Sequence, residues 1–280
     1  MPRTLINGVE LFHDEIGSGP PVLMHHGYTG SHDVWLSEIG PRLADRYRCI
    51  VMDARGAGDS ARPEDGHTIA QYALDVVAMA DALGLDRFTY VGHSMGAGIG
   101  MQLGIEHADR LDKLVLVAGI SSGGYAMDEA GHADQRAERL RSDAFERALP
   151  QRMLSRVRDH SEEQVAASLR RALSSSDAHY HQSARTMADF NVTDRLHELT
   201  TPTLVVAGAA DGLAEANLRD YLLLPNATLH VFSRVSHGVA ADVPDEFSAM
   251  LADFLEHGVV NAETEAARIA EATAPTPVGA

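Results

Sequence analysis

Short unbroken apolar runs alternate along the chain with stretches in which apolar residues recur every three or four positions. The runs are Pro21 to Met24, Cys49 to Met52, Phe88 to Val91, Leu114 to Val117, Thr203 to Ala207 and Thr228 to Phe232. Runs without polar alternation suit strands covered on both faces, as in a parallel sheet. Ahead of them, Thr4 to Ile6 and Val9 to His13 flank Asn7-Gly8, a strong two-residue hairpin signal, so the chain opens with two antiparallel strands. Between runs, Ile69 to Leu83 places Ala73, Val76, Val77, Ala80 and Leu83 at helical spacing, which predicts an amphipathic helix. The alternation predicts an α/β protein with a mostly parallel, eight-stranded, doubly wound sheet and right-handed crossovers. In such sheets ligands sit at the carboxyl ends of the strands, and function is sought there.

One region breaks the alternation. Residues 121–196 contain no clear strand but many Arg, Glu, Ala and Leu residues in helical patterns, far more chain than one crossover needs. They read as a helical cap inserted into a core formed by residues 1–120 and 197–260. Residues 261–280, ending in Ala-Pro-Thr-Pro-Val-Gly-Ala, are expected to form a flexible tail.

Composition narrows the function classes. The chain has 280 residues, 45% of them hydrophobic, enough for one substantial core. A net charge of -17, with the basic residues scattered, argues against nucleic acid as a partner, because phosphate recognition needs clustered cations. Cys49 is the only cysteine, so no intrachain disulfide forms, and its position in an apolar run makes it a small buried hydrophobe. The first residues lack the apolar core of a secretory leader, and no stretch approaches 18 apolar residues. A soluble, cytoplasmic protein without a membrane partner is expected.

The candidate chemistry begins at Gly92-His93-Ser94-Met95-Gly96. G-x-S-x-G alone is common, but here it follows a buried strand ending at Val91 and opens a helix near Met95, the context its mechanism requires. The sharp turn forces Ser94 into a strained backbone and exposes its hydroxyl above the sheet, while side chains at Gly92 or Gly96 would crowd it. Two further motifs lie at strand ends: His26-Gly27-Tyr28-Thr29-Gly30, and Asp53-Ala54-Arg55-Gly56-Ala57-Gly58-Asp59-Ser60. With these three motifs the chain resembles the α/β-hydrolase family, over roughly residues 20 to 257.

The resemblance implies a serine nucleophile with an acid and then a histidine later in the chain. Of the 15 histidines, His230, His237 and His257 follow the family's usual acid position; His237, in the loop past the last strand, is the expected general base. Asp211, directly after the strand Thr203 to Ala207, stands where the family's acid usually stands. The position after the sixth strand, Ala118-Gly119-Ile120-Ser121, offers no carboxylate. The resemblance also assigns the backbone N–H groups of Tyr28 and Met95 to an oxyanion hole. His93 and His25 read as structural. Two departures are Ser236, where many relatives have glycine before the histidine, and the lack of a proline after Asp211.

No cofactor or metal is expected. Gly56 and Gly58 lack dinucleotide-binding spacing and read as a tight turn, and His179 and His181 face apart on a helix. Tyr28, Trp35, Met95, Tyr125, Phe145, Met153, Met187 and Phe190 are the candidates to line the pocket. Their apolar character implies a small uncharged ester or lactone substrate; Arg55 and Arg185 stay open as anion anchors. The expected reaction is ester or lactone hydrolysis through an acyl-enzyme. Carbon-carbon bond hydrolases and cofactor-free perhydrolases with the same triad are alternatives, and a small-ligand receptor or signalling protein is the non-enzyme one. Serine at position 94 argues against dehalogenases and epoxide hydrolases of this fold, which use aspartate. A homo-oligomer is compatible with the pattern, which contains no heptad or apolar stripe demanding one.

Overall fold

Asn7 and Gly8 take φ of 49° and 78°, the left-handed pair that a two-residue hairpin turn requires. They join β1 (Arg3–Ile6) to β2 (Val9–Ile16), which pair from Ile6 opposite Val9 to Arg3 opposite Phe12. The remaining strands are β3 (Pro21–His25), β4 (Arg48–Met52), β5 (Phe88–His93), β6 (Leu111–Val117), β7 (Thr203–Gly208) and β8 (Ala227–Phe232). The computed structural model describes residues 2–125, 129–155 and 157–273. Its strands form one eight-stranded sheet in the order β1-β2-β4-β3-β5-β6-β7-β8. β2 is antiparallel to both neighbours, and the other pairs are parallel.

The helices are α1 (Gly40–Leu43), α2 (Ile69–Ala82), α3 (Met95–Glu106), α4 (Glu129–Arg139), α5 (Ala144–Leu154), α6 (Glu162–Ser174), α7 (Asp177–Asp189), α8 (Ala214–Leu223), α9 (Val239–Asp242), α10 (Pro244–His257) and α11 (Ala262–Thr273). Period-two alternation sends Leu23, Ile50, Met52 and Tyr90 into one core cluster, and Val22, Met24, Cys49, Val51 and Val91 into another. Tyr72, Val76 and Met79 of α2 and Ile99 and Leu103 of α3 cover the first face. Leu43 of α1 and Phe247, Leu251 and Leu255 of α10 cover the second. Each such side chain contributes about 1.5 to 3 kcal/mol when fully buried, which is why strands here carry apolar residues at consecutive positions. Burial pushes the Cys49 thiol up to about 12, so it acts as a core hydrophobe.

Between β6 and β7 the chain runs through α4, α5, α6 and α7. Ser161 and Gln164 form a reciprocal capping box that starts α6, and Ser176 caps α7 by accepting from the His179 N–H. The end of this insertion turns inward: Met187, Phe190, Val192 and Leu196 join the core cluster beneath α2 and α3.

The expectation of a flexible tail from residue 261 differs from what is found over Ala262–Thr273, which is helical. The reason is local: the Asn261 side chain accepts from the N–H groups of Glu263 and Thr264, and Glu263 and Glu265 add negative charge to the first turn. Residues 274–280, the rest of that expectation, lie outside the described residues. No helix among the described residues is long and apolar enough to cross a membrane.

Candidate active site

Ser94 sits between β5 and α3 with φ 57° and ψ -112°, a conformation L residues rarely adopt. The turn is tight enough that a Cβ on Gly92 would lie 2.1 Å from the Gly96 carbonyl oxygen, and one on Gly96 would lie 2.8 Å from that of His26. Both positions therefore require glycine for close backbone approach. The Ser94 N–H donates to the Val117 carbonyl at 2.9 Å, which ties the turn to β6.

The structure brings the three distant residues together. The His237 Nδ1–H donates to Asp211 Oδ2 at 2.9 Å, which leaves Nε2 as the acceptor for the Ser94 hydroxyl at 3.0 Å. Asp211 is held by its place just after β7 and by accepting the Leu213 N–H. Burial pulls its carboxyl upward, but the hydrogen bond and charge of His237 outweigh this and hold it below its ordinary value. The Asp211 side chain is 7% exposed, while that of His237 is 44% exposed on the cavity side.

His93 points away from the hydroxyl. Its Nε2–H donates to the His237 carbonyl at 2.8 Å, and desolvation, with His237 adding to it, pushes the ring down to about 3, so it is neutral. His26 pins the neighbouring loop, donating from Nδ1 to the Gly27 carbonyl and accepting the Ala54 N–H at Nε2. Burial lowers its pKa and keeps it neutral for both bonds. Gly27 abuts the serine: a Cβ there would lie 2.8 Å from Ser94 Cβ. This places the His26–Tyr28 turn beside the nucleophile. Met95 is the first residue of α3, where N–H groups have no partner a turn back.

These residues open into a cavity of about 1070 Å³. Of the pocket candidates, Tyr28 and Trp35 line it; Met95, Tyr125, Phe145, Met153, Met187 and Phe190 do not. Tyr125 is 40% exposed, and Met95, Met187 and Phe190 are buried in the first core cluster. Phe145 packs beneath the Arg170 guanidinium, and Arg152 rather than Met153 reaches the cavity. The insertion instead contributes Arg152, Ser155, His160, Gln164, Ser168 and Arg171 beside Val165 and Ala172. The wall is thus more polar than the sequence suggests. Neither Arg55 nor Arg185 reaches it: Arg55 pairs with buried Asp75, and Arg185 is exposed beside Asp189.

Tyr28 also reaches the insertion, donating its hydroxyl to the Tyr180 carbonyl at 2.6 Å. Arg171 on α6 binds Asp33 at 2.9 Å and Asp59 at 2.8 Å, fastening the insertion to the core. His32, Asp53 and Asp59 are the described residues with donor atoms gathered as a cation would need, within 4.8 Å of one another. Asp53 already accepts from the His32 N–H, His32 Nδ1 and the Asp59 N–H, and Arg171 binds Asp59 Oδ1, while Asp59 Oδ2 is buried without a hydrogen-bond partner. Burial opposes a charge on His32, but Asp53 and Asp33 overcome it and raise its pKa. His179 turns into the core against Tyr72, while His181 stacks near His132. Sequence reasoning missed Arg171 and His160, because a polar residue on a helix or in a connecting stretch carries no signal of which way it faces.

A serine, a histidine and an aspartate in hydrogen-bonded line, at the carboxyl ends of a mostly parallel sheet, define a protein of the α/β-hydrolase class. The chain belongs to that family: residues 20–242 match the alpha/beta hydrolase fold. A putative carbamate hydrolase RutD of Caulobacter sp. (strain K31) is 31% identical over 88% of this chain and 95% of its own. A non-heme haloperoxidase of Rhodococcus erythropolis is 28% identical over 90% of this chain and 98% of its own. Among solved structures, Est816, described as an N-acyl homoserine lactone degrading enzyme, superposes with a TM-score of 0.76 and 30% identity, covering 90% of this chain and 100% of its own.

Proposed function

We propose that the protein hydrolyses a carboxylic ester or lactone through an acyl-enzyme. The observation that carries the reading is the unbroken line Asp211–His237–Ser94, with links of 2.9 Å and 3.0 Å, opening into the cavity. Ser94 Oγ attacks the carbonyl carbon as its proton passes to His237 Nε2, and the tetrahedral oxyanion accepts from the Tyr28 and Met95 N–H groups. Collapse expels the alcohol, which takes the proton from His237. Water, deprotonated by His237, then attacks the acyl carbon; the acid leaves and Ser94 regains its proton. In a lactone the alcohol stays attached to the acyl group. Asp211 stays ionised and holds the imidazole in the tautomer that leaves Nε2 bare.

Similarity to a chain described as an N-acyl homoserine lactone degrading enzyme supports the lactone arm. The test is a panel of p-nitrophenyl esters and unsubstituted lactones with wild type and Ser94→Ala. Wild-type turnover lost in a folded Ser94→Ala protein is the expected result; retained turnover in the variant excludes the assignment.

A further inference from the structure

Residues 233–238, the irregular loop between β8 and α9, carry His237; buried Val235 anchors the loop, its carbonyl accepting from the Ala210 N–H at 2.9 Å, and side-chain contacts brace the residues next to the imidazole. His93 holds one side, through the His237 carbonyl. Asp242 holds the other. Its Oδ2 accepts from the Ser236 N–H at 3.3 Å and the Ser236 hydroxyl at 3.2 Å, and its Oδ1 lies 2.8 Å from His160 Nε2. The Asp242 side chain is 0% exposed and that of His160 9%. His160 belongs to the stretch joining α5 to α6 and lines the cavity beside Ser236. Two residues away, Arg158 Nε donates to the Arg234 carbonyl at 3.2 Å, a second contact from the insertion to the same loop.

We propose that Asp242 is a positioning residue for His237, and that its contact with His160 makes the placing of the base depend on the seating of the helical insertion. This rests on the proposed hydrolase reading. Asp211 fixes the tautomer and direction of the imidazole, but the height of its Cα over Ser94 is set through Ser236. The hydroxyl of Ser236, where many family members have glycine, gives Asp242 a second bond to the residue before the base. A buried carboxylate with these donors resists displacement, since each lost donor leaves an unpaired charge. Loss of the Asp242 contacts moves the base, and a misplacement near 1 Å costs about 100-fold in rate.

The test uses the full chain and p-nitrophenyl acetate, whose small acyl group limits contact with the insertion, with melting temperatures measured for every variant. Asp242→Ala is expected to lower kcat by about 30-fold with KM within about twofold. Asp242→Asn, whose carbonyl oxygen still accepts from Ser236, recovers most of that loss. His160→Ala lowers kcat by about fivefold and adds nothing in the Asp242→Ala background, because the two act through one contact. If Asp242→Ala fails to fold, His160→Ala and Asp242→Asn decide alone. Unchanged kcat in folded Asp242→Ala or His160→Ala, a rise in KM alone for His160→Ala, or additive losses overturn the positioning role. Ser94→Ala runs alongside: its inactivity beside unaffected variants removes only this inference, whereas its full activity removes the hydrolase reading and this role with it.

Discussion

At Ser94 the backbone and the chemistry pull in opposite directions. A φ of 57° with ψ of -112° costs a residue bearing a Cβ about 1 to 3 kcal/mol, and glycine little. Ser94→Gly is therefore expected to melt higher than Ser94→Ala, by about 1 kcal/mol, although both are inactive. Matched calorimetry of the two checks this; equal stability would mean the turn is relaxed. Asp211→Asn belongs to the same scale. It preserves size but offers His237 either an amide donor or a weaker acceptor, so the wrong tautomer competes, and kcat for p-nitrophenyl butyrate is expected to fall by about a thousandfold or more. Residues such as these were legible because their types are demanded by the chemistry at strand ends. Asp242 was not, since a carboxylate in a short helix has no mark distinguishing a brace from a solvated surface group.

For elements, legibility followed burial. Strands covered on both faces show as unbroken apolar runs, and α2, half covered, shows as a stripe; both could be placed within about three residues, the largest offset being the start of β6 at Leu111 rather than Leu114. The insertion could be recognised as helical, but not oriented. Phe145 and Met187 carry the same apolar signal, yet one lies under an arginine and the other in the core, while Gln164, Ser168 and Arg171 of α6 face the cavity. Which face turns inward depends on the partner, and here the partner includes the core carboxylates Asp33 and Asp59 that Arg171 binds. Arg171→Leu leaves these two carboxylates without their shared cation. The expected cost is about 1 to 2 kcal/mol, given that the guanidinium is 30% exposed and partly screened. Limited proteolysis should then cut first within residues 129–174, and KM for longer esters should rise more than kcat falls. Cleavage no faster than in wild type would show that α6 is held by apolar packing alone.

Across the whole molecule, buried imidazoles set the response to acid. His25, His26 and His179 are 1%, 2% and 0% exposed, and burial is the main cause lowering all three from the ordinary 6.5, His25 to about 3. Below pH 6.5 the unfolded chain takes up protons at these sites that the native state refuses. Their stabilisation is therefore complete above pH 6.5 and is lost progressively as the pH falls from there through each lowered native value. His32, raised by Asp53, works the other way: its contribution is full below pH 6.5 and fades as the pH rises through its higher native value. Asp211, held low, adds loss only below its ordinary 3.8. Each refused proton is worth about 1.4 kcal/mol per pH unit below the ordinary value, a loss that adds over the sites. Net charge argues the reverse, because a chain at -17 loses self-repulsion as acid neutralises it. Salt separates the two effects: at about 0.2 M the Debye length is below 10 Å, which screens surface repulsion but leaves the buried sites unchanged. Urea unfolding in that salt from pH 8 to pH 4.5 is expected to show a plateau and then a decline beginning near pH 6.5, before the carboxylates titrate. Stability that holds level or rises down to pH 5 would show that the buried histidines accept protons in the folded protein.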